Sequence, residues 1–162
     1  MMTPEDRLKR KIKCWLIAFI VLLVLSGLTA FPLETELAIA MDHITIFPAG
    51  LQHWLSTIYN AVKNTNASYP YLSYGTDWLA FAHIVIAIAF IGPLRDPVRN
   101  IWVIEFGMIA CLLIIPLAFI AGPIRQIPFY WRLVDCSFGV FGIIPLYLCY
   151  RCIKKLMYIQ TS

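Results

Sequence analysis

The stretch I-W-V-I-E-F-G-M-I-A-C-L-L-I-I-P-L-A-F-I-A, residues 101–121, decides the fold class. Glu105 is its one ionisable carboxylate, and it carries no basic residue. A helix of about 20 apolar residues, rising about 1.5 Å per residue, crosses a hydrocarbon core of about 30 Å. A helix apolar on every side is buried either in a large protein core or in lipid. Gly122-Pro123 closes the run and Asn100 precedes it.

Three further stretches read the same way: Cys14–Phe31, Trp78–Leu94 and Leu133–Tyr150. Pro32 stops the first, and Gly92-Pro93 with Asp96-Pro97 stops the second. Pro116 and Pro145 fall inside the third and fourth runs and predict kinks, which neighbouring helices or water must relieve. The expected architecture is all-α: a four-helix transmembrane bundle, one integral membrane domain over residues 1–162.

Composition agrees. The chain is 60% hydrophobic and 14% charged, against about 25% charged for a soluble domain. That excludes an ordinary cytosolic domain, a disordered chain and a disulfide-rich secreted module. No loop carries a basic stripe interleaved with aromatics, so nucleic acid is not an expected partner. The expected partner is the lipid bilayer, with a membrane-protein partner or a second copy of the chain as further options.

Sidedness follows from the basic residues. Arg7, Lys9, Arg10, Lys11 and Lys13 precede the first run, Arg95 and Arg99 lie between the second and third, and Arg151, Lys154 and Lys155 follow the fourth. Lys63, Arg125 and Arg132 remain on the opposite side. By the positive-inside rule both termini are cytoplasmic, N-in and C-in, and a bacterial inner (plasma) membrane is the expected location. A cleaved signal peptide competes for the N-terminal run. Leu28 at the minus-three position is a mediocre cleavage context, so the expectation is an uncleaved first span.

The segment Leu33–Thr76 is then extracytoplasmic. From Pro48 onward Leu51, Leu55, Ile58 and Val62 share one helical face, and Gln52, His53, Ser56, Asn60 and Lys63 share the other. This predicts an amphipathic helix lying on the membrane or capping the bundle. The Asn-, Ser- and Tyr-rich stretch from Asn64 to Gly75 reads as a re-entry loop. Its Asn66-Ala67-Ser68 triplet matches a glycosylation sequon too common to carry weight.

Ionisable groups inside a bilayer are costly, so each needs a role. His83 lies about 9 Å along the second span from Asp77 by helix rise. It shares a face with Thr76, Ala80 and Ala87, which should turn inward. Asp135 enters the fourth span from the same side as Asp77, on a face continued by Gly139 and Gly142, whose small size permits close helix approach. Asp77, His83 and Asp135 are therefore the candidate polar pocket, an acid–base set with divergent pKa values. Arg132, Arg125, His53 and His43 are secondary candidates at similar depth or outside. Phe129, Tyr130 and Trp131 form an aromatic interface anchor. Glu105 is expected to pair with Arg95 or Arg99 as a structural ion pair.

The three histidines admit a haem or metal role. No pair has the i, i+3 or i, i+4 spacing that builds a site on one helix, and no zinc-spaced Cys/His set exists. Cys149 and Cys152 form a CxxC at the cytoplasmic end, a reducing compartment, without the strand–helix context of a redox motif. Quinone-linked disulfide oxidoreductases need such a pair outside. Four-helix haem proteins need histidines paired across helices, and lipoprotein signal peptidases need Asn/Asp motifs that are lacking. Two function classes follow. One is a membrane enzyme, carrier or haem/metal binder using the outward acid/His pocket. The other is a non-catalytic accessory or assembly subunit.

Overall fold

The computed structural model describes residues 3–161. It is mostly helical, with no strand among the described residues. Seven α-helices follow in chain order: α1 (Pro4–Ala30), α2 (Leu33–Asp42), α3 (Ala49–Ser68), α4 (Pro70–Ala89), α5 (Ile91–Arg95), α6 (Ile101–Ile124) and α7 (Phe129–Thr161). A short 3-10 turn, Ile44–Ile46, joins α2 to α3. Four helical stretches are long and apolar enough to cross a membrane: Pro4–Ala30, Pro70–Arg95, Ile101–Ile124 and Phe129–Gln160.

The start of α1 is a capping box built on Thr3. The Thr3 hydroxyl accepts the Asp6 backbone N–H at 3.1 Å and donates to the Asp6 carboxylate at 2.6 Å. Pro4 takes the first helical position, where a missing N–H costs nothing. The Thr3 hydroxyl, followed by its backbone N–H, holds the Asp6 carboxyl below the usual carboxylate range.

The chain forms two compact units, one of residues 3–22 with 87–161 and one of residues 23–86. The first is organised by α6 and α7. On α6, Val103, Ile104, Gly107, Cys111, Ala118 and Gly122 are buried. The face carrying Gly139 and Gly142 meets them. A Cβ added at Gly139 would collide with the Cys111 carbonyl oxygen, and one at Gly142 would sit 3.0 Å from Cys111 Sγ. The close approach expected from those two glycines is therefore present. Gly107 is small for a similar reason: a Cβ there would lie 2.7 Å from the Phe90 ring and 2.9 Å from Leu146. Phe90 also packs on Phe19, with ring centroids 4.7 Å apart. Ile12, Leu16, Ile153 and Leu156 complete this core.

Helix α6 ends in a Schellman motif. Ile127 N–H donates to the Gly122 carbonyl at 2.9 Å and Gln126 N–H to the Pro123 carbonyl at 3.1 Å. Gln126 takes φ 58°, the left-handed position usually given to glycine. Both α6 and α7 remain helical through Pro116 and Pro145.

In the second unit the expected amphipathic helix is α3, with Leu55 buried and Leu51, Ile58 and Val62 half-buried. Gln52 and Ser56, placed on its solvent face by periodicity, are also half-buried. Gln52 donates to the Phe47 carbonyl at 2.6 Å, and Ser56 donates to the Gln52 carbonyl at 2.8 Å. The re-entry loop expected from Asn64 to Gly75 is replaced by helix. Helix α3 continues to Ser68, Tyr69 alone intervenes, and α4 starts at Pro70. The second apolar helix thus begins well before Trp78. Proline at the first helical position favours that start, and tertiary hydrogen bonds to Asn66 and Ser73 override the loop preference of these residues.

Most large apolar side chains on the long helices remain exposed, Leu113 at 59% and Leu117 at 64% among them. The two units therefore bury only part of the apolar surface that the sequence provides.

Candidate functional site

Three segments of the second unit enclose a cavity of about 410 Å³. The turn between α1 and α2 contributes Phe31 and Pro32, the start of α2 contributes Leu33 through Thr35, and α3 contributes its last turns. Helix α4 contributes Leu72, Ser73, Thr76 and Asp77.

The polar wall is held by Asn66. Its Nδ2–H donates to Glu34 Oε2 at 2.6 Å, and its Oδ1 accepts the Ser73 hydroxyl. One carboxamide thereby ties α2, α3 and α4 together. The carboxylate fixes the amide orientation, because it accepts and cannot donate when ionised. Asp77 lies one turn beyond Ser73 on α4, half-buried in the same cavity, and makes no ion pair with any described residue. Thr65 and Thr76 add hydroxyls, and no basic residue lines the wall. The cavity therefore presents two carboxylates, hydroxyl groups and an amide, a set that favours cations and hydrogen-bond donors.

His83 is half-buried on α4. Ala80 and Ala87 beside it are buried, while Phe81 and Ile88 point away and are exposed. Gly27 of α1 makes room for it: a Cβ at Gly27 would lie 2.9 Å from the Ala80 carbonyl oxygen and 3.0 Å from His83 Cβ. The imidazole bonds within its own helix, with Nδ1 2.8 Å from the Leu79 carbonyl oxygen. A carbonyl only accepts, so Nδ1 carries the proton and Nε2 is the open nitrogen. His83 does not line the cavity around Asp77.

The remaining candidates are each described within their own unit. Asp135 is half-buried on α7, in the other unit. His43 caps the end of α2 and His53 is exposed on α3, and neither lines the Asp77 cavity. Arg125 is the C-cap of α6. Arg132 lays its stem where a Cβ of Gly122 would be and its guanidinium 5.3 Å from the Phe129 ring centroid. Among the described residues, no group of three or more His, Cys, Asp or Glu side chains is arranged to hold a metal ion.

The ion pair expected of Glu105 with Arg95 or Arg99 is not formed among the described residues. The turn between α5 and α6 accounts for this. Asp96 Oδ1 accepts the Arg99 backbone N–H at 3.0 Å, and Asn100 donates to the carbonyls of Gly92 and Asp96. That turn sets both arginines in the wall of a second cavity, with Lys9 and Lys13.

Periodicity overlooked Glu34, Asn66 and Ser73. A signal existed for Asn66: continuing the stripe of Leu55, Ile58 and Val62 by helical steps reaches Thr65 and Asn66. The loop-favouring Asn and Ser residues from Asn64 onward mask that stripe.

No family model matches this chain, and neither curated proteins nor solved structures provide a match.

Proposed function

We propose that this chain is a four-span integral membrane protein with cytoplasmic termini, and that its extracytoplasmic Asp77 cavity binds a small cationic ligand. Support for the membrane location comes from the four apolar helices and their exposed apolar side chains. Support for the orientation comes from the distribution of Lys and Arg. The observation carrying the ligand assignment is the Ser73–Asn66–Glu34 chain beside Asp77, in a cavity of about 410 Å³ without a basic lining residue. Such a wall suits an amine that donates several hydrogen bonds to fixed acceptors. A carrier or receptor role uses these groups for recognition, and an enzyme role uses the Asp77 carboxylate as a base.

The test is calorimetric titration of the purified chain with 1,4-diaminobutane and with tetramethylammonium. Saturable binding of either, weakened about tenfold or more by Asp77→Asn or Glu34→Gln, supports the cavity assignment. No heat from either probe removes it. Copurification with a larger membrane complex, together with silent cavity variants, favours the accessory-subunit reading.

A further inference from the structure

The second cavity, about 600 Å³, lies in the unit formed by residues 3–22 and 87–161. Lys9 and Lys13 come from α1, Arg95 from the end of α5, and Arg99 from the turn between α5 and α6. These positions are far apart in sequence, so the fold gathers them. Asp96 is the one carboxylate in the wall, and it is already engaged by the Arg99 backbone N–H at 3.0 Å. Lys9 is neutralised by Glu5, Nζ to Oε1 at 3.2 Å. Lys13, Arg95 and Arg99 form no ion pair with any described residue. The floor is apolar: Ile12 and Leu156 line the cavity and are 1% exposed.

Lys13, Arg95 and Arg99 outnumber the single Asp96 carboxylate, so the wall keeps a net positive charge over an apolar floor, which fits an amphiphilic anion better than a fully hydrated one. Their depth agrees. Lys13 lies one residue and Arg99 two residues before a long apolar run, and exposed Trp15 and Trp102 stand second in those runs. Tryptophan at that place marks the headgroup level of a bilayer. Basic pockets between membrane helices on the cytoplasmic side recognise anionic headgroups, and guanidinium forks match phosphate oxygens.

We propose that this cavity holds the phosphate-bearing headgroup of an anionic phospholipid, with Lys13, Arg95 and Arg99 as its ligands. The assignment rests on the membrane reading above and is independent of the Asp77 cavity.

Native mass spectrometry of the full chain in detergent tests it, with separate titrations of dimyristoyl phosphatidylglycerol, dimyristoyl phosphatidylcholine and inorganic phosphate. The expected result is saturable phosphatidylglycerol binding at lower concentration than phosphatidylcholine. Arg95→Gln with Arg99→Gln should weaken it on the order of ten- to thirtyfold, and Lys63→Gln should leave it unchanged. Lys13→Gln alone, a helix-compatible change, should give a smaller loss and serves if the double variant does not fold. Equal affinity for the two lipids, or a preference surviving in the folded variants, overturns the proposal. Inorganic phosphate binding as tightly as the lipid also overturns it, in favour of a free anion. Alkaline carbonate extraction separates the membrane location from the headgroup site. A chain washed from membranes removes the membrane reading, whereas a retained chain without lipid preference removes the headgroup site alone.

Discussion

Gln160 Nε2 donates a hydrogen bond of 2.8 Å to Glu5 Oε1, joining positions 155 residues apart. The first turn of α1 and the last turn of α7 therefore lie at the same end of their unit. On the proposed reading of four long apolar helices as four crossings, an even number would return the C-terminus to the side of the N-terminus.

That relationship, with the basic asymmetry, gives the first prediction. A cysteine at Lys63 in a cysteine-free background should label with an impermeant maleimide from outside sealed cells. One at Asn100 should label only after the membrane is opened. External labelling at Asn100 would reverse the orientation.

The same contact should depend on pH. The Gln160 amide first, and Lys9 after it, hold the Glu5 carboxyl below its ordinary value. A carboxyl lowered in the folded state contributes above its unfolded pKa, and the contribution fades as pH falls through the folded value. Amide exchange in the last turn of α7, corrected for its intrinsic pH dependence, should lose protection on acidification. Glu5→Ala should remove that step, and a step unchanged in the variant would assign it to another group.

Glycines divide by their surroundings. Gly139→Ala must force α7 away from the Cys111 carbonyl, at a cost of about 1–3 kcal/mol. Gly75 on α4 has nothing within 4 Å of an added Cβ, so Gly75→Ala should stabilise by about 0.5–1 kcal/mol. Melting in one detergent compares them, and shifts of equal sign would contradict the packing described.

Gln126 holds a left-handed backbone at the end of α6, with φ 58°. Gln126→Gly should relieve about 1 kcal/mol of strain and raise the melting temperature. Gln126→Val should lower it, since a β-branched side chain tolerates positive φ least.

His83 and Asp77 should separate in function. Asp77 lines the acidic cavity, while His83 bonds its own helix and lies outside the lining. Asp77→Asn should weaken amine binding with little change in melting. His83→Ala should leave that binding intact and lower the melting temperature modestly. An equal loss of binding in both variants would restore His83 to the site.

Local chemistry made much of this protein legible. Runs of apolar residues long enough to cross a bilayer specify helices by themselves, because every backbone bond of an α-helix closes within its own segment. The inward face of Ala80, His83 and Ala87 follows from helical periodicity. The close contact at Gly139 and Gly142 follows from side-chain size. The meeting of Glu34, Asn66 and Ser73 does not, since it depends on where three helices cross, and packing sets that. Packing also carried α3 and α4 through the expected loop, because Asn66 found a carboxylate partner where its intrinsic preference favoured a turn. Arg95 and Arg99 show the same division. Their charge predicted an interfacial loop from the sequence, but the hydrogen bonds of Asp96 and Asn100 decided that they line a cavity with Lys9 and Lys13.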